Sequence, residues 1–285
     1  MNRLNLQKKV LTVMGPHGAH RQTYYIRPGE EAALHSRGGA MVEHRIATTT
    51  AKSRVEMHYG LLWAGHANKG VDHALEQIDK VHAVPSNLYR LPVKVTGTLG
   101  GANGLYRVWN AGSRNEINVS KYAFGPSSTM AHEYGHFLDH HLFGDGKKQT
   151  WDGLGTFARL RTPETAGTSS SARLANKDLQ PLMRSIFRSK ATGELIAKAE
   201  QQRAAGLTTH ASDYLLMPPE LFARAYAQWI TTKSGSRQMK TELDAFSIGW
   251  RGHGYSAQWE DKDFAPISRE FDRLFQRRGL LREGH

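Results

Sequence analysis

Hydrophobic and polar positions along the chain form short alternating stretches first and stretches of helical spacing later. Residues 9 to 27, KVLTVMGPHGAHRQTYYIR, alternate on both sides of the turn-forming GPHGAH and predict a β-hairpin. From about 28 to 56 the pattern is poor, punctuated by RPGEE, RGGA and TTTAKS, so loops and short elements are expected. In VDHALEQIDKVHAV, residues Val71, Ala74, Leu75, Ile78, Val81 and His82 fall at helical spacing, and Pro85 stops the helix. A division near Pro85 would separate an N-terminal accessory segment, 1–85, from a larger domain, 86–285.

LYRLPVKVTG reads as a strand, and the TLGGANG that follows reads as a turn, since it lacks both the GxGxxG spacing and a P-loop ending. LYRVWNAGSRNEINVSKYA predicts a second hairpin with Ile117 and Val119 on one face and Asn118 on the other. Gly125-Pro126-Ser127 signals a helix start. Roughly 145 to 176 is rich in Gly, Thr and Ser and is expected to be a long loop. Leu179, Leu182, Met183, Ile186 and Phe187 mark an amphipathic helix with a basic opposite face. MPPELFARAYAQWITT is apolar nearly all round, which implies a buried helix, and DFAPISREFDRLFQRRG adds a terminal amphipathic one. The expected fold class is α+β.

Composition narrows the chemistry. With no cysteine among 285 residues, disulfides, thiolate metal sites and thiol nucleophiles are excluded together, so a metal would need His and carboxylate ligands. The formal charge of +12 favours polyanions, either through a generally basic surface or through a dedicated nucleic-acid site. No stretch approaches the roughly 18 apolar residues of a membrane span, and the first residues hold no apolar run of signal-peptide length, so a soluble, unexported protein is expected.

The chemistry concentrates in STMAHEYGHFLDHH. His132-Glu133-Tyr134-Gly135-His136 is an H-E-x-x-H motif; four helical residues turn through about 400°, so both imidazoles can meet one ion. Glu133 lies beside that face, which suits a base acting on water. Met130, Ala131, Tyr134, Phe137, Leu138 and Leu142 form the apolar back such a helix needs. Gly135 costs roughly 1 kcal/mol of helix stability relative to Ala, which points to close backbone packing or substrate access. Asp139 shares the ligand azimuth and either orients a ligand imidazole or pairs with a surface base; His140 and His141 are read as solvated or supporting residues. The strand-like NEINVS before this helix could offer a sheet edge to a peptide.

Three protein ligands are needed around catalytic zinc. Leu142 occupies the position where a metzincin has its third His, leaving a carboxylate on a later helix. Glu220, acidic within an apolar helix, is the best candidate, with Glu242 a poorer rival; otherwise Glu220 is a first-turn acid paired with Arg224. Tyr214 and His210, just upstream, are either oxyanion donors or structural residues.

STMAHEYGHFLDHH, followed by PPELFARAYAQWI and DFAPISREFDRLF, resembles the zincin-like metallopeptidase domains associated with large polyvalent proteins of phages and other mobile elements; GANGLYRVWN and NEINVSKYAF are similar to the strand region preceding their active helix. The resemblance covers roughly 86–285. It implies a zincin-like α+β fold with a small mixed sheet and an active-site helix, beside a small N-terminal segment containing a β-hairpin, and a gluzincin-type site with His132, His136 and Glu220 as Zn2+ ligands and Glu133 as catalytic base. The expected function is a zinc-dependent metallopeptidase acting on a protein or peptide, encoded by a phage or mobile element and cytoplasmic, in the host cell or associated with a virion. The alternative is a basic DNA-associated or virion structural protein that uses the fold as a scaffold.

Overall fold

The computed structural model describes residues 7–15, 18–26, 41–48, 62–65, 69–83, 92–97, 99–107, 115–146, 153–156, 176–251 and 256–284. The architecture is α+β. Strands β1 (Gln7–Gly15), β2 (Gly18–Ile26), β3 (Met41–Thr48), β4 (Leu62–Gly65), β5 (Pro92–Thr96), β6 (Gly104–Arg107) and β7 (Glu116–Ser120) form one mixed sheet, ordered β3-β1-β2-β4-β5-β7-β6. Both expected hairpins are present: β1 pairs antiparallel with β2, and β6 with β7. Between β4, β5 and β7 the pairing is parallel. The pattern-poor stretch still supplies β3, which pairs with β1. Strand pairing uses backbone amides, which hydrophobic periodicity does not report.

Among the described residues eight α-helices accompany the sheet: α1 (Lys69–Val81), α2 (Pro126–His141), α3 (Gln180–Phe187), α4 (Lys190–Ala204), α5 (His210–Leu215), α6 (Pro218–Ser234), α7 (Arg237–Arg251) and α8 (Asp261–Arg277). Helices α1, α2, α3, α6 and α8 coincide with the stretches expected to be helical, whereas α4, α5 and α7 form where no helix is expected from the sequence. The division near Pro85 and most of the 145–176 loop lie outside the described residues. On the two sides of that division, α1 packs against α2 and α6. Among the described residues no helix is long and apolar enough to cross a membrane.

Helix α2 sits at the centre, contacting β6 and β7 on one side and α1, α6 and α7 on the others. Its back, as expected, is buried: Met130, Ala131 and Leu138 are fully covered, and Tyr134 and Phe137 nearly so. Helix α6 is buried along most of its length, with Phe222, Tyr226 and Trp229 packed against Phe271 and Phe275 of α8. Gly135 resolves in favour of close packing. A Cβ there would stand 3.0 Å from the Ala223 Cα and 3.2 Å from Tyr226 Cδ1, so α2 and α6 meet backbone to backbone where a side chain would hold them apart.

The two ends of α2 are also fixed. No acidic residue lies in its first turn; instead Glu242 of α7 accepts the Ser128 N–H at 2.7 Å, satisfying a free donor and meeting the positive end of the helix dipole. At the other end the fully buried Asp139 accepts from the Thr156 N–H at 2.8 Å and from the Thr156 hydroxyl, while Gly155 N–H bonds the Asp139 carbonyl at 2.9 Å.

His82, at the end of α1, is buried under the aromatic cluster; one ring nitrogen meets the Ala83 carbonyl at 2.8 Å and the other the Tyr226 hydroxyl at 2.7 Å. Burial, aided by Arg282 and opposed by the Ala83 carbonyl, lowers its pKa to about 4. The unfolded chain therefore takes up this proton first, and stability is lost as pH falls from 6.5 toward about 4. Urea unfolding at pH 6.5 and pH 4.5 is expected to show wild type losing about 2–3 kcal/mol more than His82→Gln over that interval. Gly135→Val is expected to destabilise the protein by about 1–3 kcal/mol in the same measurement, through overpacking against Ala223 and Tyr226.

Candidate metal centre

Helical spacing places His132 and His136 one turn apart on α2, and the approach of α6 at Gly135 carries Glu220 to them. The two imidazole nitrogens converge on the Glu220 carboxylate, each facing a different oxygen. His132 Nε2 is 3.1 Å from His136 Nε2 and 3.3 Å from Glu220 Oε2, and His136 Nε2 is 3.2 Å from Glu220 Oε1. Two imidazole nitrogens and a carboxylate, each bearing lone pairs and converging so closely, require a shared proton or a cation between them. These three residues could hold a metal ion.

The electrostatics favour positive charge at this point. Burial would lower the pKa of His136, but Glu220, with Glu133 and Asp139 near it, outweighs burial and raises it to about 9. Burial would likewise raise the Glu220 carboxyl, but the two imidazoles hold it well below the usual carboxylate range. Glu133, on the same helix, shows the opposite balance. Its burial outweighs the two imidazoles and pushes its pKa up, with Glu220 adding to the rise. Its Oε2 accepts the backbone N–H of Tyr106 on β6 at 2.6 Å.

A cleft of ≈ 320 Å³ opens onto this group, lined by His132, Glu133 and Glu220 together with Gly104, Tyr214 and Arg224. Tyr214, about half exposed, donates its hydroxyl to Glu220 Oε1 at 2.6 Å. Burial and the neighbouring Glu220 carboxylate raise its pKa well above normal, so it remains a donor. Arg224 lies in the cleft wall, donating to the carbonyls of Ala257 and Leu215 and stacking at 5.5 Å on Trp259. These carbonyl bonds tie α6 to the segments on both sides of it. His210 is exposed at the first residue of α5 and does not line the cleft.

Other expectations resolve as follows. Asp139 lies close enough to His136 to raise its pKa, but its carboxylate is bonded to Thr156. Glu242, the rival ligand, is engaged at the start of α2. His140 is fully buried rather than solvated, because Tyr106 folds over it and places its hydroxyl 2.7 Å from Nδ1. NEINVS does not supply the sheet edge: β7 is buried along its whole length between β5 and β6, and the edge strand is β6. Sequence reasoning missed Gly104 and Tyr106 at the site. A backbone N–H carries no residue-specific signature, so only the pairing order reveals it.

Purified protein is expected to retain about one equivalent of metal by elemental analysis, with His136→Ala and Glu220→Ala each losing it; retention by Glu220→Ala would remove that residue from the ligand set. Near pH 7, titration calorimetry in buffers of different ionisation enthalpy is expected to report about one proton released per metal bound, because the raised His136 must give up its proton.

No family model matches the chain, and neither the curated proteins nor the solved structures provide a match.

Proposed function

We propose that the protein is a zinc-dependent metallopeptidase that hydrolyses peptide bonds in a protein or peptide substrate. The observation carrying this reading is the convergence of His132, His136 and Glu220, with Glu133 beside them at a cleft. Zinc suits the donor set. Bonds of about 2.0–2.1 Å in a tetrahedral site separate neighbouring ligand atoms by roughly 3.3 Å, close to the 3.1 Å between the two imidazole nitrogens and the 3.2–3.3 Å from each of them to a Glu220 oxygen. Three protein ligands leave a coordination position for chemistry.

When bound, the ion supplies Lewis acidity, acidifying water and polarising a carbonyl. The chain's own residues supply the rest. Glu133, held by β6 with its pKa raised by burial, takes a proton from the attacking water and returns it to the leaving amine. Tyr214 gives its one hydroxyl proton to Glu220 Oε1 and so orients that carboxylate; half exposed on the cleft, it would serve the developing oxyanion by turning that proton away from Glu220. Arg224 holds the cleft wall through two carbonyls. The resemblance to zincin-like domains of phage and mobile-element proteins extends the reading to that biological setting.

A second reading, a DNA-associated or virion structural protein, is favoured by the charge of +12 and by Arg269, Arg273 and Arg277, exposed at successive turns of α8. One experiment separates the two. Zinc-loaded protein is incubated with a proteome-derived peptide library and the products are read by mass spectrometry. Wild type is expected to cleave, and Glu133→Gln to lose cleavage by roughly 10²-fold or more while keeping its zinc. DNA binding with a steep salt dependence and no new peptide termini would support the second reading instead.

A further inference from the structure

Among the described residues β6 is the last strand on its side of the sheet, and every second backbone amide on it points away from β7. The Ser120 N–H donates to the Asn103 carbonyl at 2.8 Å, and the register continues as Gly104↔Val119, Leu105↔Asn118 and Tyr106↔Ile117. Asn103 and Leu105 therefore bond toward β7, and Gly104 and Tyr106 present their amides to the open side. On that side lies helix α2, not solvent alone. The Tyr106 N–H donates to Glu133 Oε2 at 2.6 Å.

Gly104 makes this approach sterically feasible. A Cβ on it would stand 2.5 Å from Thr129 Cγ2, 2.7 Å from Glu133 Oε1 and 2.9 Å from Glu133 Cγ, so bare backbone lies directly against the carboxylate. The Tyr106 side chain reinforces the same contact. Its ring lies parallel to that of His136 at 6.4 Å, and its hydroxyl meets His140 of α2. Backbone, ring and hydroxyl of one residue thus bind strand to helix at Glu133, His136 and His140.

We infer that Tyr106 is the positioning residue for Glu133: the edge strand, through its outward backbone N–H, sets where the carboxylate stands, and Gly104 keeps the space open. The strand edge at this register is thereby occupied by the protein's own helix. An extended substrate cannot take the Tyr106 N–H without releasing Glu133, and it meets instead the Gly101–Gly104 segment that lines the cleft. The catalytic consequence rests on the peptidase reading; the hydrogen bond itself does not.

Two measurements test it. In amide hydrogen exchange followed by NMR, the Tyr106 N–H is expected to be protected in wild type and to exchange about tenfold faster or more in Glu133→Ala, while Leu105, bonded to β7, is unchanged. Equal Tyr106 exchange in the two proteins overturns the proposal, whatever the protein's activity. Kinetics on a peptide from the library compare Tyr106→Ala, which keeps the N–H, with Tyr106→Pro, which removes it while sparing the ladder to β7. The proline variant is expected to fall about tenfold or more below the alanine variant in kcat, with KM within about twofold and zinc retained. Equal kcat in the two variants overturns the proposal. If wild type cleaves no peptide, the peptidase reading fails and the exchange result alone decides.

Discussion

The centre depends on a single close approach, that of α2 and α6 at Gly135 and Ala223. There a methyl group on Gly135 would crowd Ala223 and Tyr226 and push them back by a few tenths of an ångström, and this contact carries the first turn of α6 to the two imidazoles. A carboxylate as deeply buried as Glu220 is costly unless it is compensated. The imidazoles and the Tyr214 hydroxyl provide that compensation, so packing behind the helices and electrostatics in front of them favour the same arrangement. The aromatic layer of Phe222, Tyr226, Trp229, Phe271 and Phe275 holds α6 from its far side.

Two buried glutamates within the same cleft are driven in opposite directions by their neighbours. Glu220 lies between the histidines, which outweigh its desolvation and keep it ionised. Glu133 sits to one side of them; there desolvation dominates and its proton affinity rises. Divergent environments for paired carboxylates commonly separate a charge-holding group from a proton-moving one. Its backbone tether to β6 gives Glu133 a fixed place without neutralising it, since an amide donor brings no formal charge.

The remaining polar contacts keep α2 in register. Glu242 holds its start and Asp139 its end, each across a long stretch of sequence, while β6 fixes its exposed flank. Acidic residues that resemble ligand candidates in sequence therefore serve here as anchors for the helix that carries the histidines.

The H-E-x-x-H spacing, the apolar back of its helix, the hairpin pairs and the candidacy of Glu220 were all legible from the residues. Each follows from local geometry, helical azimuth or strand alternation, or from the incongruity of an acid in an apolar stretch. What Gly135 is for, which strand forms the edge, where Asp139, His140 and Glu242 point, and how Glu133 is held were decided only by the tertiary structure. Those outcomes depend on backbone groups and on partners 17 to 114 residues away in sequence. Side-chain identity sets what a residue is able to bind, but the distance that makes the bond exists only after distant segments pack.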